Sequence, residues 1–251
     1  MALHNDPGDG LAEHVVPTHD TFLGRMKNEG VYLSILTVLF VVAAIVYDQP
    51  RIAMWFGFML AGYSAIANDS IQTIGTFIAS NHHRKWWVLW LFIAAVFVLT
   101  ILDSLFVFEN GGFVWTGDVS HDRLASKGFS EAPVAFEYLQ LAAPIFLLIL
   151  TRLRVPVSTS FLILTCFATD PDGITSMLIK SLSGYGVAFA VAILVWGATT
   201  RLMEGLMARR PNPRPFWVPL QWVSTGFLWS QWIAQDAANI AVYLPREMGG
   251  G

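Results

Sequence analysis

Charge is scarce in this sequence, cysteine is nearly absent, and basic runs are missing altogether. Only 13% of the 251 residues are charged, about half of what the surface of a soluble domain this size requires. The single cysteine, Cys166, excludes an intrachain disulfide, and its setting in "FLILTCFA" points to packing rather than reactivity. Without a Lys/Arg run there is no footprint for nucleic acid, and a net charge of −3 implies no strongly charged partner. The polar tail 1–30 lacks a short apolar core, so it does not resemble a cleaved signal peptide; it reads as a cytoplasmic N-terminal tail.

Enzyme motifs are missing too. No Ser nucleophile elbow, HExxH or Gly-rich nucleotide loop occurs. His82 and His83 are adjacent and sit beside Arg84 and Lys85, as in a solvated loop. The other four, His4, His14, His19 and His121, lie in the tail or an outer loop. A membrane metal oxidase needs several histidines at helical spacings, so an intramembrane metal enzyme is a poor alternative and the chain is expected not to be an enzyme.

What the chain has is apolar sequence in long blocks. Hydrophobic residues make up 55% of it and the mean hydropathy is +0.54. "VYLSILTVLFVVAAIVY" (31–47) and "WWVLWLFIAAVFVLTIL" (86–102) each approach the roughly 20 residues that cross a bilayer. The expected fold is therefore an all-α polytopic membrane protein. About seven segments are read, at 31–47, 52–79, 86–108, 133–150, 155–181, 184–202 and 216–243. The segments 52–79 and 155–181 are broken by polar residues, Asn68-Asp69 in one and "DPDG" in the other. Residues 31–245 form the transmembrane transport domain, and 246–251 a C-terminal tail that is a candidate truncation point. With the N-terminus cytoplasmic, the inner side of a cell membrane receives ten Lys and Arg residues and the outer side four, the bias orientation requires. A re-entrant hairpin over 155–181 is the competing layout.

Two copies of one polar pattern stand inside apolar segments. "IANDSIQ" (66–72) and "IAQDAAN" (233–239) share Ile-Ala-amide-Asp-x-x-amide, with Asn68 and Gln72 in one copy and Gln235 and Asn239 in the other. An intramembrane Asp costs about 2.5–3.5 kcal/mol on insertion scales. Two of them flanked by amides point to a polar cavity where a cation, or a proton, compensates Asp69 and Asp236; structural pairing of buried Asp and Asn is the alternative. The two segments run oppositely through the bilayer in this layout, as in an inverted repeat whose halves share a midplane site.

"NDSIQTIGT" (68–76) resembles the Asn-Asp-x-x-Asn-x-x-Gly-Thr signature of the inorganic phosphate transporter (PiT) family, with Gln72 where Asn is usual. "PVSTS" (156–160) resembles that family's Pro-Val-Ser-Thr-Thr-His hairpin motif, with Phe161 where His is usual, and "QDAAN" (235–239) its second Asn-Asp copy, without the Gly-Thr. The resemblance implies a cation-coupled symporter of a small inorganic anion, phosphate or sulfate, with Na+ or H+ as coupling ion and no other cofactor. It implies binding by Asn68, Asp69, Gln72, Thr76, Ser158, Thr159, Gln235, Asp236 and Asn239, with Asp69 and Asp236 as sodium ligands. The partners are then the anion, the lipid bilayer and a second copy of the chain, and no nucleic acid. A non-transporting membrane subunit, whose polar helices pair with a partner, is the other reading.

The remaining polar residues rank lower. Asp170 and Asp172 are cation ligands if "DPDG" breaks a helix near the midplane, or a solvated turn at the interface. Lys180 could neutralise an anion, but snorkelling to the surface is favoured. Glu137 and Gln140 share a helical face and read as interfacial or interhelical, as does Asp103. The layout is testable: cysteines placed in the 80–85 and 203–215 loops should react from the same, cytoplasmic side with an impermeant reagent. Labelling of the second loop from outside would remove the inverted arrangement.

Overall fold

The computed structural model describes residues 22–109, 111–155, 157–168, 171–209 and 214–246. It is mostly helical: α1 (Phe22–Val46), α2 (Pro50–Ser80), α3 (Trp86–Leu105), α4 (Arg123–Ser126), α5 (Tyr138–Arg152), α6 (Thr159–Leu164), α7 (Pro171–Arg209) and α8 (Arg214–Ala241). A short antiparallel hairpin, β1 (Phe106–Glu109) and β2 (Gly112–Trp115), follows α3. Three stretches are long and apolar enough to cross a membrane, Glu29–Val46, Trp86–Leu105 and Pro171–Gly205, which is compatible with a membrane protein. At 31 and 28 residues, α2 and α8 are long enough as well, but the two aspartate motifs make them more polar.

Two compact units are present, Met1–Val41 and Val42–Gly251. The first holds most of α1, an apolar helix whose Ser34 and Thr37 hydroxyls donate to the carbonyls of Gly30 and Leu33, both at 2.8 Å. Satisfied within their own helix, these hydroxyls need no other partner. The second unit holds the remaining elements.

Its frame is the antiparallel pair α2 and α8. Gly57 packs on Tyr243, Gly62 faces Ile240, Trp232 Nε1 donates to Asp69, and Asn81 Nδ2 donates to Gln221 at the far end. As the number rises along α2 it falls along α8, so residues 69 and 236 come within about one helical turn of the same level. The stripe Ile74, Trp229 and Ile233 seals this interface, joined by Ile93, Val96 and Ile101 of α3. Trp229 Nε1 donates to Ile93 O at 3.2 Å, tying α3 to α8.

α5 and α6 form a hairpin that enters and leaves at one end. α5 runs parallel to α2, with Leu141 beside Gly57 and the Thr151 hydroxyl bonded to Asn68 Oδ1 at 3.1 Å. The chain turns at 153–158, where Arg154 takes a left-handed φ of 58°. α6 then returns, so that Phe167 packs on Tyr243 and on Phe136 at the hairpin's open end. Both Glu137 and Gln140 are spent on the start of α5: they form a capping box, with Glu137 N donating to Gln140 Oε1 at 2.9 Å. Their hydrogen bonds are those of helix capping.

Four expectations are corrected. α2 is not broken at Asn68-Asp69 but runs as one helix from Pro50 to Ser80, because the two side chains find partners in each other, Thr151 and Trp232. Residues 155–181 are not one segment: they contain the hairpin turn, α6 and the start of α7. Residues 181–184, expected to separate two segments, lie inside the single 39-residue α7. The physical reason is Pro171, which stands at the first position of α7, where its missing N–H is no loss, with Asp172 in the first turn favoured by the helix dipole. α3 ends at Leu105, and 106–109 is strand rather than helix. The hairpin is thus 138–167, not 155–181.

Gly57 is needed where α2 meets Tyr243: a Cβ there would collide with the Tyr243 ring. Tyr243 is fully buried and its hydroxyl donates to Gln140 O at 2.6 Å, so it has no room to retreat. Gly57→Ala should destabilise the protein by about 1–3 kcal/mol through overpacking, read as a lowered midpoint of thermal unfolding in detergent. Gly30→Ala, with open space around its Cβ, is the control that should not.

Candidate functional site

A cavity of about 980 Å³ lies at the level of the hairpin tip, lined from α2, the α4 connector, the 157–161 turn, α7 and α8. Helical spacing delivers the side chains: Asp69, Gln72 and Thr73 from one face of α2, and Trp232, Gln235 and Asp236 from one face of α8. α7 contributes Ser176, Lys180, Ser181 and Tyr185 at the same spacing.

The two aspartates are held by parallel devices. Asp69 Oδ1 accepts from Asn68 Nδ2 at 2.7 Å, and Oδ2 accepts from Trp232 Nε1 at 3.2 Å. Asp236, 2% exposed, accepts from Asn239 Nδ2 at 2.8 Å and from the Thr159 hydroxyl at 3.2 Å. The exchange of amides between the two copies now has a reason. In each, the asparagine bonds the aspartate, while the longer glutamine, Gln72 or Gln235, lines the cavity. Neither glutamine side chain has a hydrogen bond among the described residues.

Ser158 and Thr159 lie at the tip of the α5–α6 hairpin and line the cavity. Ser158 caps α6 by accepting from Phe161 N at 3.3 Å and lies 3.4 Å from the Ser181 hydroxyl. Asn68 is buried beside Asp69 and also reaches Val157 O at 3.4 Å, tying α2 to the turn. Thr76 does not line the cavity; it is exposed, one turn beyond Thr73 on α2. Asp172 is exposed in the first turn of α7 and is not on the cavity either. Asp170 lies outside the described residues. His82 and His83 stay in the turn after α2, with His82 Nδ1 2.9 Å from Ala79 O.

Three cations of the cavity wall come from places that suggest none of this. Arg123 and Lys127 belong to the connector between β2 and α5, expected as a simple outer loop, and Lys180, expected to snorkel, faces the cavity from α7. Burial, then the charge of Arg123, pushes the Lys127 ammonium down to about 8, against the opposing pull of Asp236. Trp232 was equally hidden, because an apolar residue in an apolar segment gives no sign that its N–H is committed to a carboxylate.

Among the described residues no cluster of three or more His, Cys, Asp or Glu is found. The donors that meet are carboxylate, amide and hydroxyl oxygens, hard ligands that favour a hard cation over a soft transition metal. Asn239 Oδ1 is buried beside Asp236 with no hydrogen-bond partner among the described residues. A bound cation or a donor proton there would satisfy it.

No protein-family model matches the chain, and no curated protein or solved structure matches it.

The Trp232–Asp69 bond makes a quantitative prediction. Trp232→Phe keeps a ring against Trp229, which stacks on it at 4.7 Å, but leaves Asp69 Oδ2 without its donor. That loss should destabilise by about 1–3 kcal/mol. In a double-mutant cycle with Asp69→Asn, unfolding measurements should give a coupling of about 0.5–3 kcal/mol. Simple additivity would show that the bond contributes nothing.

Proposed function

We propose that the protein is a secondary transporter, a cation-coupled symporter of a small inorganic anion, most simply phosphate. The observation that carries this reading is the convergence of both aspartate motifs and the hairpin hydroxyls on one open cavity. The resemblance of "NDSIQTIGT" and "PVSTS" to phosphate transporter motifs supports it, since Asn68 and Val157 lie 89 positions apart yet meet in one contact.

In this reading α1, α2, α3, α7 and α8 cross the membrane and the α5–α6 hairpin enters from the side of the 106–137 connector. The hairpin takes the place of two expected crossings, so the 80–85 turn and the end of α7 at Arg209 still share a side. With Arg152 and Arg154 at the hairpin turn, eight Lys and Arg residues remain on the N-terminal side against four on the other, a bias that supports a cytoplasmic N-terminus for a protein of the cell (inner) membrane. The antiparallel α2 and α8 are the two copies of an inverted repeat.

The coupling follows from electrostatics. With Asp69 and Asp236 charged and uncompensated, an anion is repelled from a cavity of low dielectric. Binding of Na+, or protonation of one carboxylate, removes that repulsion, and the anion then finds the Ser158 and Thr159 hydroxyls. By linkage, anion binding tightens cation binding by the same factor. One observation favours the membrane-subunit reading instead: the apolar stretch of α7 has no buried residue, leaving Phe189, Leu194 and Trp196 free for lipid or another chain.

The test is uptake of labelled phosphate and sulfate into proteoliposomes, with and without Na+, at two pH values. Asp69→Asn and Asp236→Asn should each abolish Na+-dependent uptake in a sodium-coupled protein. In a proton-coupled one they should retain anion binding and lose pH dependence. Transport and coupling unchanged in both variants would return the aspartates to structural pairing, and a partner that copurifies without any ion effect would favour the subunit.

A further inference from the structure

The cavity wall carries both signs of charge without joining them. Among the described residues no ion pair links Asp69 or Asp236 to Arg123, Lys127 or Lys180. The carboxylates already have their own donors, in Asn68, Trp232, Asn239 and Thr159. The cations have none: Lys127 Nζ and Arg123 Nε are buried with no hydrogen-bond partner among the described residues. Lys127 lies within electrostatic reach of Arg123 and Lys180, and of Asp236 across the cavity, to which no ion pair joins it. Like charges gathered at a partly buried wall repel one another, and unsolvated N–H donors there are costly unless an acceptor meets them.

The connector is built to hold this arrangement. The Asp118 carboxylate accepts from the backbone N–H groups of Ser120 and Asp122, both at 2.7 Å. Ser104 Oγ accepts from His121 N at 3.0 Å. His121 and Asp122, with φ of 52° and 58°, are forced into the left-handed region immediately before Arg123. On the far side Arg246 Nε donates to Phe129 O at 2.9 Å, while its Nη1 serves the last carbonyl of α8, Ala241 O at 3.2 Å, and Leu244 O beyond it at 2.9 Å. A strained turn fixed at both ends keeps Arg123 and Lys127 on the cavity, because such conformations persist only when the surroundings over-determine them.

We propose that Arg123, Lys127 and Lys180 form an oxyanion-binding subsite, on the wall facing the aspartate pair, that takes a tetrahedral oxyanion such as phosphate or sulfate. The proposal rests on the transport reading and deepens it by separating the two ligands: the anion's charge is met by the connector and α7, the coupling cation's by α2 and α8. Several N–H donors, part of them in the planar fork of an arginine, match the many acceptor oxygens of such an anion. The phosphate of an anionic lipid headgroup has the same chemistry, and the experiment separates the two sources.

The test uses the full chain in nanodiscs of neutral lipid, with inorganic phosphate and sulfate as calorimetric probes. Lys127→Gln and Lys180→Gln should each weaken binding of both anions at least tenfold, and Lys127→Arg should restore most of it. Lys180 is exposed, so its substitution leaves the fold intact and keeps the test informative if Lys127→Gln folds poorly. Thermal stabilisation by Na+ in the absence of anion should persist in both Gln variants, because the aspartates are untouched. Wild-type anion affinity in Lys180→Gln and Lys127→Gln would overturn the subsite. Affinity for phosphatidylglycerol in the discs, with none for the free anions, would overturn it as a soluble-anion site. If the Lys variants lose anion binding and the parent protein shows no uptake, the subsite stands and the transport reading alone fails.

Discussion

A carboxylate can be placed inside an apolar helical bundle only where donors from other segments are brought to it. This chain does so twice, and most of its architecture serves those two placements. Asp236 is held by an asparagine one turn along α8 and by Thr159 from the hairpin tip. Asp69 is held by its neighbour Asn68 and by Trp232 from α8. Loss of either donor from another segment leaves an acceptor unsatisfied, buried in Asp236 and half-buried in Asp69, so the α2–α8 register and the depth of the hairpin are fixed by the same bonds that hold the charges.

From that constraint the cavity follows. Because α5 stops after 15 residues and turns back, the wall at this level is open where a full crossing would have filled it. Because α7 presents one stripe of polar residues and an otherwise exposed apolar surface, it closes the cavity on one side only. The result separates charge by element: acidic groups on α2 and α8, basic groups on the α4 connector and on α7. A site of this kind suits two ligands of opposite sign better than one, since each finds compensation without neutralising the protein's own pairs.

Much of the centre was legible in the sequence because its signals are local. The repeated Ile-Ala-amide-Asp pattern, the apolar setting that makes an aspartate expensive, and the hydroxyls of "PVSTS" all lie within short windows. What was not legible depends on contacts between distant positions. Arg123 and Lys127 look like any outer-loop cations until Ser104, Asp118 and Arg246 fold the connector onto α8. Trp232 looks like core. In the sequence Pro171 reads as part of a break, because proline and glycine signals do not distinguish the start of a helix from its interruption. The Glu137-x-x-Gln140 spacing did carry a capping signature, but a carboxylate in the capping position resembles an interfacial charge when only helical faces are compared.

Both aspartates reach one cavity only because α2 and α8 lie antiparallel with their motifs at one level. Disulfide trapping in the native membrane tests this directly. In a Cys166→Ser background, Gly62→Cys with Ile240→Cys occupies positions in van der Waals contact, since a Cβ at 62 would sit 3.8 Å from Ile240 Cγ2. Mild oxidation should join this pair within one chain. Gly62→Cys with Ser230→Cys, about 10 residues or 15 Å further along α8, should stay reduced. Efficient trapping of the second pair and none of the first would mean that the aspartate motifs do not share a cavity.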